Sequence, residues 1–145
     1  MTEAVKTPWH LWLVGIVSLL WNAIGAYDYT MTNLRNQAYL DSMGYPAEGI
    51  AYLDAFPIWA HSGWALGVWG AVIGSVLLLM RSRFAVWSFA LSIVGIASTT
   101  LYEAGADMPP ELAELQPGWF PILLWSIAVF LMVYAISMRR KGVLR

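Results

Sequence analysis

Four uncharged apolar stretches constrain this chain more than any other feature. They run from Thr7 to Tyr27, Ala55 to Met80, Phe84 to Tyr102 and Leu115 to Met138, and none contains Asp, Glu, Lys or Arg. A helix needs roughly 20 apolar residues to cross the hydrocarbon core of a bilayer. Because backbone polar groups in lipid must be hydrogen-bonded within the segment, each stretch is predicted to be a transmembrane helix.

Composition agrees with a lipid environment. Hydrophobic residues make up 59% of the 145-residue chain and charged residues 12%, whereas soluble domains average about 45–50% and about 25%. The net charge of −1 gives no reason to expect nucleic acid as a partner. We therefore predict an all-α membrane protein, with one domain over residues 1–145 and spans near residues 9–27, 57–80, 84–103 and 118–138.

The first apolar stretch has some features of a secretory signal peptide. Lys6 precedes it, and the small residues Ala23 and Gly25 lie near its end. Bulky Trp21 and polar Asn22 are unfavourable beside a cleavage site. We therefore expect this stretch to remain in the protein as its first span.

The positive charges predict the orientation of the spans. Seven of the eight basic residues fall on one side of a four-span chain, and they are Lys6, Arg81, Arg83, Arg139, Arg140, Lys141 and Arg145. The other side carries eight acidic residues, with Arg35 as its single base. Because cytoplasmic loops carry the excess of Lys and Arg, we predict an antiparallel four-helix bundle with both termini in the cytoplasm.

The first outer loop, between Asp28 and Phe56, is predicted to be partly helical. Its polar residues recur at helical spacing, which suggests that the first helix continues beyond the membrane; they are Asp28, Thr32, Arg35 and Tyr39. Gly44 is typical of a helix end, and Pro46 of the start of another short helix. In the second outer loop, a short helix is predicted from Glu111 to Leu115.

Small residues mark the helix faces that are expected to pack. The second span carries Gly63, Gly67, Gly70 and Gly74, all on one helical face. Glycine lets the backbones of membrane helices approach closely, so this face predicts a contact within the bundle or the interface of a homodimer. In the third span, the polar and small residues Ser88, Ser92, Gly95 and Thr99 are expected to face the bundle interior.

The outer membrane boundary gathers most of the chemically useful side chains. We predict a ligand pocket open to the outside and lined by Trp21, Asn22, Asp28, Tyr29, Arg35, His61, Trp64, Tyr102 and Glu103. In this hypothesis a carboxylate takes a proton or Arg35 holds an anion. The alternative is that the acids are solvated and the Trp residues form an interfacial belt. Asn22 either bonds a neighbouring helix or lines a polar cavity, because its buried amide needs partners.

The sequence contains no pattern that is typical of an enzyme. It has no cysteine, no nucleophile and base at motif spacing, no phosphate loop and no nucleotide fingerprint. His10 and His61 lie at opposite membrane edges, so they are not expected to ligate one haem. We therefore expect no catalytic activity, no metal and no cofactor.

Two motifs resemble a known group of proteins. The first runs from Trp21 to Thr32 (WNAIGAYDYTMT) and is followed by Arg35 and Ala38-Tyr39-Leu40, and the second is Trp64 to Gly70 (WALGVWG). Together they resemble a poorly characterised family of small bacterial inner-membrane proteins, some of which carry the label "sugar transporter". The resemblance implies a bacterial inner membrane and assigns no functional residue.

Two functions are consistent with these features. The first is binding or transport of a small solute through the outward-facing pocket, in which case a protein of this size is expected to form a homodimer. The second is an accessory or assembly role in a larger inner-membrane complex, with the loop between Asp28 and Phe56 as a docking surface.

Overall fold

Seven helices make up the regular structure of residues 4–145. This computed structural model describes residues 4–145, and that part of the chain contains no β-strand. The helices are α1 (Trp9–Asn33), α2 (Gln37–Ser42), α3 (Ala47–Asp54), α4 (Ile58–Leu79), α5 (Ala85–Gly105), α6 (Pro110–Leu115) and α7 (Phe120–Arg140).

Four of these helices are long and apolar enough to cross a membrane. They are α1, α4, α5 and α7, with 25, 22, 21 and 21 residues. Their positions match the four apolar stretches of the sequence, although α1 extends to Asn33, beyond the predicted end of the first span. The prediction of an all-helical chain with four candidate membrane spans is confirmed.

The connection between α1 and α4 is partly helical, as predicted, but the break comes earlier than the polar spacing indicated. Arg35 has a φ angle of 52°, a left-handed conformation that ends α1. Asn36 then begins α2, because its side chain accepts a hydrogen bond from the Tyr39 backbone N–H at 2.9 Å. The prediction that Arg35 and Tyr39 continue the first helix is therefore wrong. Gly44, with φ of 71°, lies just after the end of α2 in a left-handed conformation that glycine adopts without strain.

The glycine face of α4 packs directly on α5. A Cβ atom at Gly70 would lie 3.1 Å from the Ser92 backbone nitrogen, and one at Gly67 would lie 3.2 Å from the Ile96 backbone nitrogen. Two serine hydroxyls of α5 donate to α4 backbone carbonyls, Ser88 to Gly70 at 2.7 Å and Ser92 to Gly67 at 2.6 Å. These contacts show that the glycine face is covered within the chain.

The other two long helices flank this pair. Helix α1 packs on α4, where the Asn22 amide donates to the Ala71 carbonyl at 3.2 Å and to the Ser75 hydroxyl at 2.9 Å. Helix α7 packs on α5, where Trp125 Nε1 donates to the Thr100 hydroxyl at 3.3 Å. The four long helices therefore contact one another in the order α1, α4, α5 and α7.

Helices α1 and α7 contact each other through side chains at two points. The His10 ring and the Tyr134 hydroxyl are hydrogen-bonded at 2.5 Å, and the rings of Trp21 and Phe120 are 6.5 Å apart. Between them lies an apolar groove of about 380 Å³, lined by Leu13, Val14, Val17, Ser18, Trp21, Ile127, Phe130 and Leu131.

The two ends of the helical assembly differ. One end, the termini side, carries residues 4–8, the turn 80–84 and residues 141–145. There the Arg83 N–H donates to the Arg145 carbonyl at 2.9 Å, and the Arg145 N–H donates to the Arg81 carbonyl at 2.8 Å. The other end, the loop side, carries residues 34–57 and 106–119 with helices α2, α3 and α6.

Candidate functional site

A small aromatic core holds the short helices against the ends of the long ones. Its buried members are Tyr52 and Leu53 of α3 and Leu112 of α6. The half-buried residues packed around them are Tyr45, Phe56, Trp64, Tyr102, Ala106 and Met108. We call this set the loop-side cluster. It is separate from the core at the termini side, which contains Leu11, Leu78 and Met138 among other residues.

Four of the predicted site residues come together at this cluster. The Trp64 ring lies 4.9 Å from the Tyr29 ring and 6.3 Å from the His61 ring, in both cases edge to face. Phe56 connects them to Tyr102, because its ring is 6.3 Å from Trp64 and 4.5 Å from Tyr102. Phe56 was not among the predicted site residues, although its position just before Pro57 placed it at the same boundary.

Two other predicted site residues lie apart from this cluster. Trp21 lines the apolar groove between α1 and α7. Asn22 bonds the neighbouring helix α4, which is one of its two predicted roles. Both hydrogen bonds run from the Asn22 side-chain nitrogen to α4, so Asn22 holds α1 and α4 together.

Asp28 and Arg35 are each held by a partner that the sequence analysis did not assign to them. The Tyr39 hydroxyl donates to Asp28 Oδ1 at 2.6 Å, which ties α2 to the end of α1. Arg35 forms an ion pair with Asp54 at the end of α3. Both contacts cross the break after α1, because they join residues 11 and 19 positions apart on different helices or their connections. Arg35 is consequently engaged, although it was predicted to be available to an anion.

Two tyrosines that were not among the predicted site residues, Tyr45 and Tyr52, feel the charges of acidic residues. Burial raises the pKa of Tyr45, and the negative charges of Asp28 and Glu103 act in the same direction, opposed by Arg35. Burial also raises the pKa of Tyr52 to about 12, reinforced by Glu103 and by the neighbouring phenols. Tyr45 therefore lies within electrostatic reach of Asp28 and Glu103, and Tyr52 lies within electrostatic reach of Glu103.

The Tyr52 hydroxyl is unusual because it is buried without a partner. The Tyr52 side chain is 9% exposed, and its hydroxyl makes no hydrogen bond to any described residue. Leaving a buried hydroxyl unpaired costs about 1–3 kcal/mol, so such a group in a native fold calls for an explanation.

Glu103 is a carboxylate of the site that forms no ion pair with any described residue. It is half-buried near the end of α5, and within residues 4–145 the single ion pair is Arg35–Asp54. Glu103 therefore has no basic partner among the described residues. That part of the chain also holds no group of three His, Cys, Asp or Glu side chains arranged to bind a metal ion.

The arrangement thus combines aromatic faces, phenol hydroxyls and an unpaired carboxylate at one end of four apolar helices. Comparisons with protein-family models, with curated proteins and with solved structures each found no match to this chain.

Proposed function

We propose that the chain is a bacterial inner-membrane protein whose four spans form an antiparallel bundle with both termini in the cytoplasm. The contacts between α4 and α5 support the antiparallel arrangement, since Gly63 faces Ser98 whereas Gly74 faces Phe89. The basic residues support the orientation, because seven of the eight belong to the termini side. The loop side then faces the periplasm.

At that outer face the protein binds a small polar solute without converting it chemically. The observation that carries this proposal is the buried Tyr52 hydroxyl, which lacks a partner and lies within electrostatic reach of Glu103. A ligand with a polar group satisfies that hydroxyl, and the aromatic rings around it supply a surface for the ligand's carbon atoms. Among the described residues, the site has no group of three His, Cys, Asp or Glu side chains that could hold a metal ion.

Binding is better supported than transport through a single copy of the chain. The interface of α4 and α5 is filled by backbone contacts at Gly67 and Gly70 and by the hydroxyls of Ser88 and Ser92. Asn22 carries the one side-chain amide within the predicted spans, and its nitrogen already donates hydrogen bonds to α4. A transport path therefore requires a second copy or a partner, and the glycine face is not free to bind it.

An accessory role in a larger membrane complex is the second candidate, and the groove between α1 and α7 favours it. Its lining is apolar apart from Ser18, whose hydroxyl already bonds the Gly15 carbonyl. A groove of about 380 Å³ at the depth of the spans can receive the side chains of a partner helix.

Native mass spectrometry of the protein extracted with lipid from its own membrane separates the two functions. Solute binding predicts a small bound mass, which is lost in Glu103→Gln and retained in the exposed control Glu114→Gln. An accessory role predicts a larger assembly with other subunits. A chain that carries no small mass in any preparation would contradict the binding proposal.

A further inference from the structure

We propose that the solute is an organic cation, an ammonium compound that also carries a hydrogen-bonding hydroxyl or N–H group. This inference rests on the proposed binding function and adds the chemical class of the ligand. It places the positive charge beside Glu103 and among the rings of Tyr45, Tyr52 and Tyr102, with the ligand's polar hydrogen directed to the Tyr52 oxygen.

The charges of the loop side select a cation. Eight acidic residues lie on the predicted outer side: Asp28, Asp41, Glu48, Asp54, Glu103, Asp107, Glu111 and Glu114. Arg35, their single basic counterpart, is already paired with Asp54. An anion entering the site is repelled by Asp28 and Glu103, whose negative charges both raise the pKa of the Tyr45 phenol. A neutral solute can donate hydrogen bonds to these carboxylates but gains no charge–charge attraction from them, whereas a cation gains both.

The aromatic residues favour an organic cation over a metal ion. Rings present a negative face that attracts ammonium groups within about 6 Å. The rings of Phe56, Tyr52 and Tyr102 are mutual neighbours, with centroids 4.5–6.3 Å apart. Calcium and magnesium instead require several oxygen ligands, and the described residues offer no group of three candidate ligands.

The buried Tyr52 hydroxyl indicates where the polar group of the ligand sits. Its own helix, α3, leaves it without a partner, whereas the Tyr39 hydroxyl donates to Asp28. Because the Tyr52 oxygen is covered, access requires α3 to move away from Tyr102 and Phe56. The Arg35–Asp54 contact at the end of α3 is the exposed link that such a movement breaks.

Choline and its uncharged analogue 3,3-dimethylbutan-1-ol provide a matched pair of probes. They have the same shape and hydroxyl and differ in the positive charge. With the full chain in lipid nanodiscs, choline is expected to change the tryptophan fluorescence, because Trp64 lies in the cluster, and to raise Tm. The neutral analogue is expected to do neither, and glucose and acetate serve as neutral and anionic controls.

Three variants then test the assignment of the site. Glu103→Gln is expected to weaken choline binding by about tenfold or more, which corresponds to the loss of about 1.4 kcal/mol. Tyr52→Phe is expected to weaken it as well, without loss of folding, because the phenyl ring retains its packing. Glu114→Gln, on the exposed face of α6, should bind choline like the unmodified protein.

The outcomes distinguish the ligand class from the binding function. Equal responses to choline and to the neutral analogue, or choline binding that is unchanged in Glu103→Gln and Tyr52→Phe, would overturn the cation assignment. Binding of glucose or acetate with no response to choline would overturn it too, while leaving the binding function in place. Failure of all four probes, together with the absence of a bound mass in the native extract, would reject both proposals.

Discussion

At the scale of single residues, the closest contacts in this protein depend on the absence of side chains. Gly95 of α5 meets the backbone of Gly63 and Gly67 of α4 so closely that a Cβ atom at Gly95 would collide with both. Ser92 then donates its hydroxyl across the same interface. Small residues therefore serve two purposes, since they permit the approach and supply hydrogen bonds between the helices.

Gly95→Ala tests this contact. We expect it to lower the free energy of unfolding by roughly 1–3 kcal/mol or more, because the added methyl group meets backbone atoms that cannot rotate away. Gly25→Ala is the matched control, since no atom lies within 4 Å of a Cβ at that helical position. The control should be neutral or stabilising by about 0.5–1 kcal/mol. Unfolding of both variants in mixed detergent micelles measures the difference, and equal values would contradict the packing assignment.

The raised pKa of Tyr52 predicts how the stability of the folded protein changes at alkaline pH. An ordinary tyrosine titrates near pH 10, whereas burial and then Glu103 raise the pKa of Tyr52 to about 12 in the folded state. Because the folded state favours the neutral phenol, the resulting stabilisation is complete below about pH 10. It is lost as pH rises from about 10 through 12.

Tyrosinate absorbance during an alkaline titration measures this shift. The difference between the unmodified protein and Tyr52→Phe should show one phenol that ionises near pH 12, and the unfolded chain should show it near 10. A difference curve centred near pH 10 in the folded protein would mean that Tyr52 is exposed to solvent.

At the scale of elements, two short segments determine how the ends of the long helices are arranged. Residues 34–36 interrupt the helical pattern, so that α2 folds back and the Tyr39 hydroxyl reaches Asp28. Residues 143–145 return to the turn between α4 and α5, where Val143 and Leu144 are buried and backbone hydrogen bonds pair Arg145 with Arg81 and Arg83. Both segments stabilise the molecule through contacts that are distant in sequence.

Leu144→Ala tests the contribution of the returning segment. Leu144 is 4% exposed and belongs to the core at the termini side, so its truncation should destabilise the protein by about 2–5 kcal/mol. Leu101→Ala is the control, because Leu101 is 71% exposed on a long helix. Thermal unfolding in the same lipid should therefore shift strongly for Leu144→Ala and little for Leu101→Ala. Similar shifts in both variants would show that residues 143–145 are not packed as described.

At the scale of the whole molecule, the asymmetry of charge is the main property. The termini side carries Arg81, Arg83, Arg139, Arg140, Lys141 and Arg145, and the loop side carries eight of the nine acidic residues and the loop-side cluster. The proposed orientation places the candidate site in the periplasm and the basic residues beside the anionic cytoplasmic leaflet.

The chain has no cysteine, so single cysteines report this orientation directly. In intact bacterial cells, a membrane-impermeant maleimide should label Asp41→Cys on the loop side. It should label Lys141→Cys on the termini side only after the membrane is permeabilised. Both positions are exposed. Labelling of Lys141→Cys in intact cells would reverse the orientation and place the loop-side cluster in the cytoplasm.

Sequence alone determined the all-helical character and the positions of the four long helices. The reason is physical: lipid leaves the backbone no alternative hydrogen-bond partner, so an uncharged apolar stretch of sufficient length has to be helical. The glycine spacing likewise identified the packing face of α4, because a 3.6-residue period places Gly63, Gly67, Gly70 and Gly74 in one line.

Only the tertiary structure decided which side chains meet. Phe56 at the centre of the aromatic group, the pairing of Arg35 with Asp54 and the isolated Tyr52 hydroxyl all depend on how short helices fold back over the loop side. The same holds for the separation of Trp21 from the cluster, because a residue's depth along a helix does not specify its direction around the helix axis. Periodicity within one helix can identify a packing face, as for the glycines of α4, but it does not identify the helix or the side chains that meet this face, and those contacts place the candidate site.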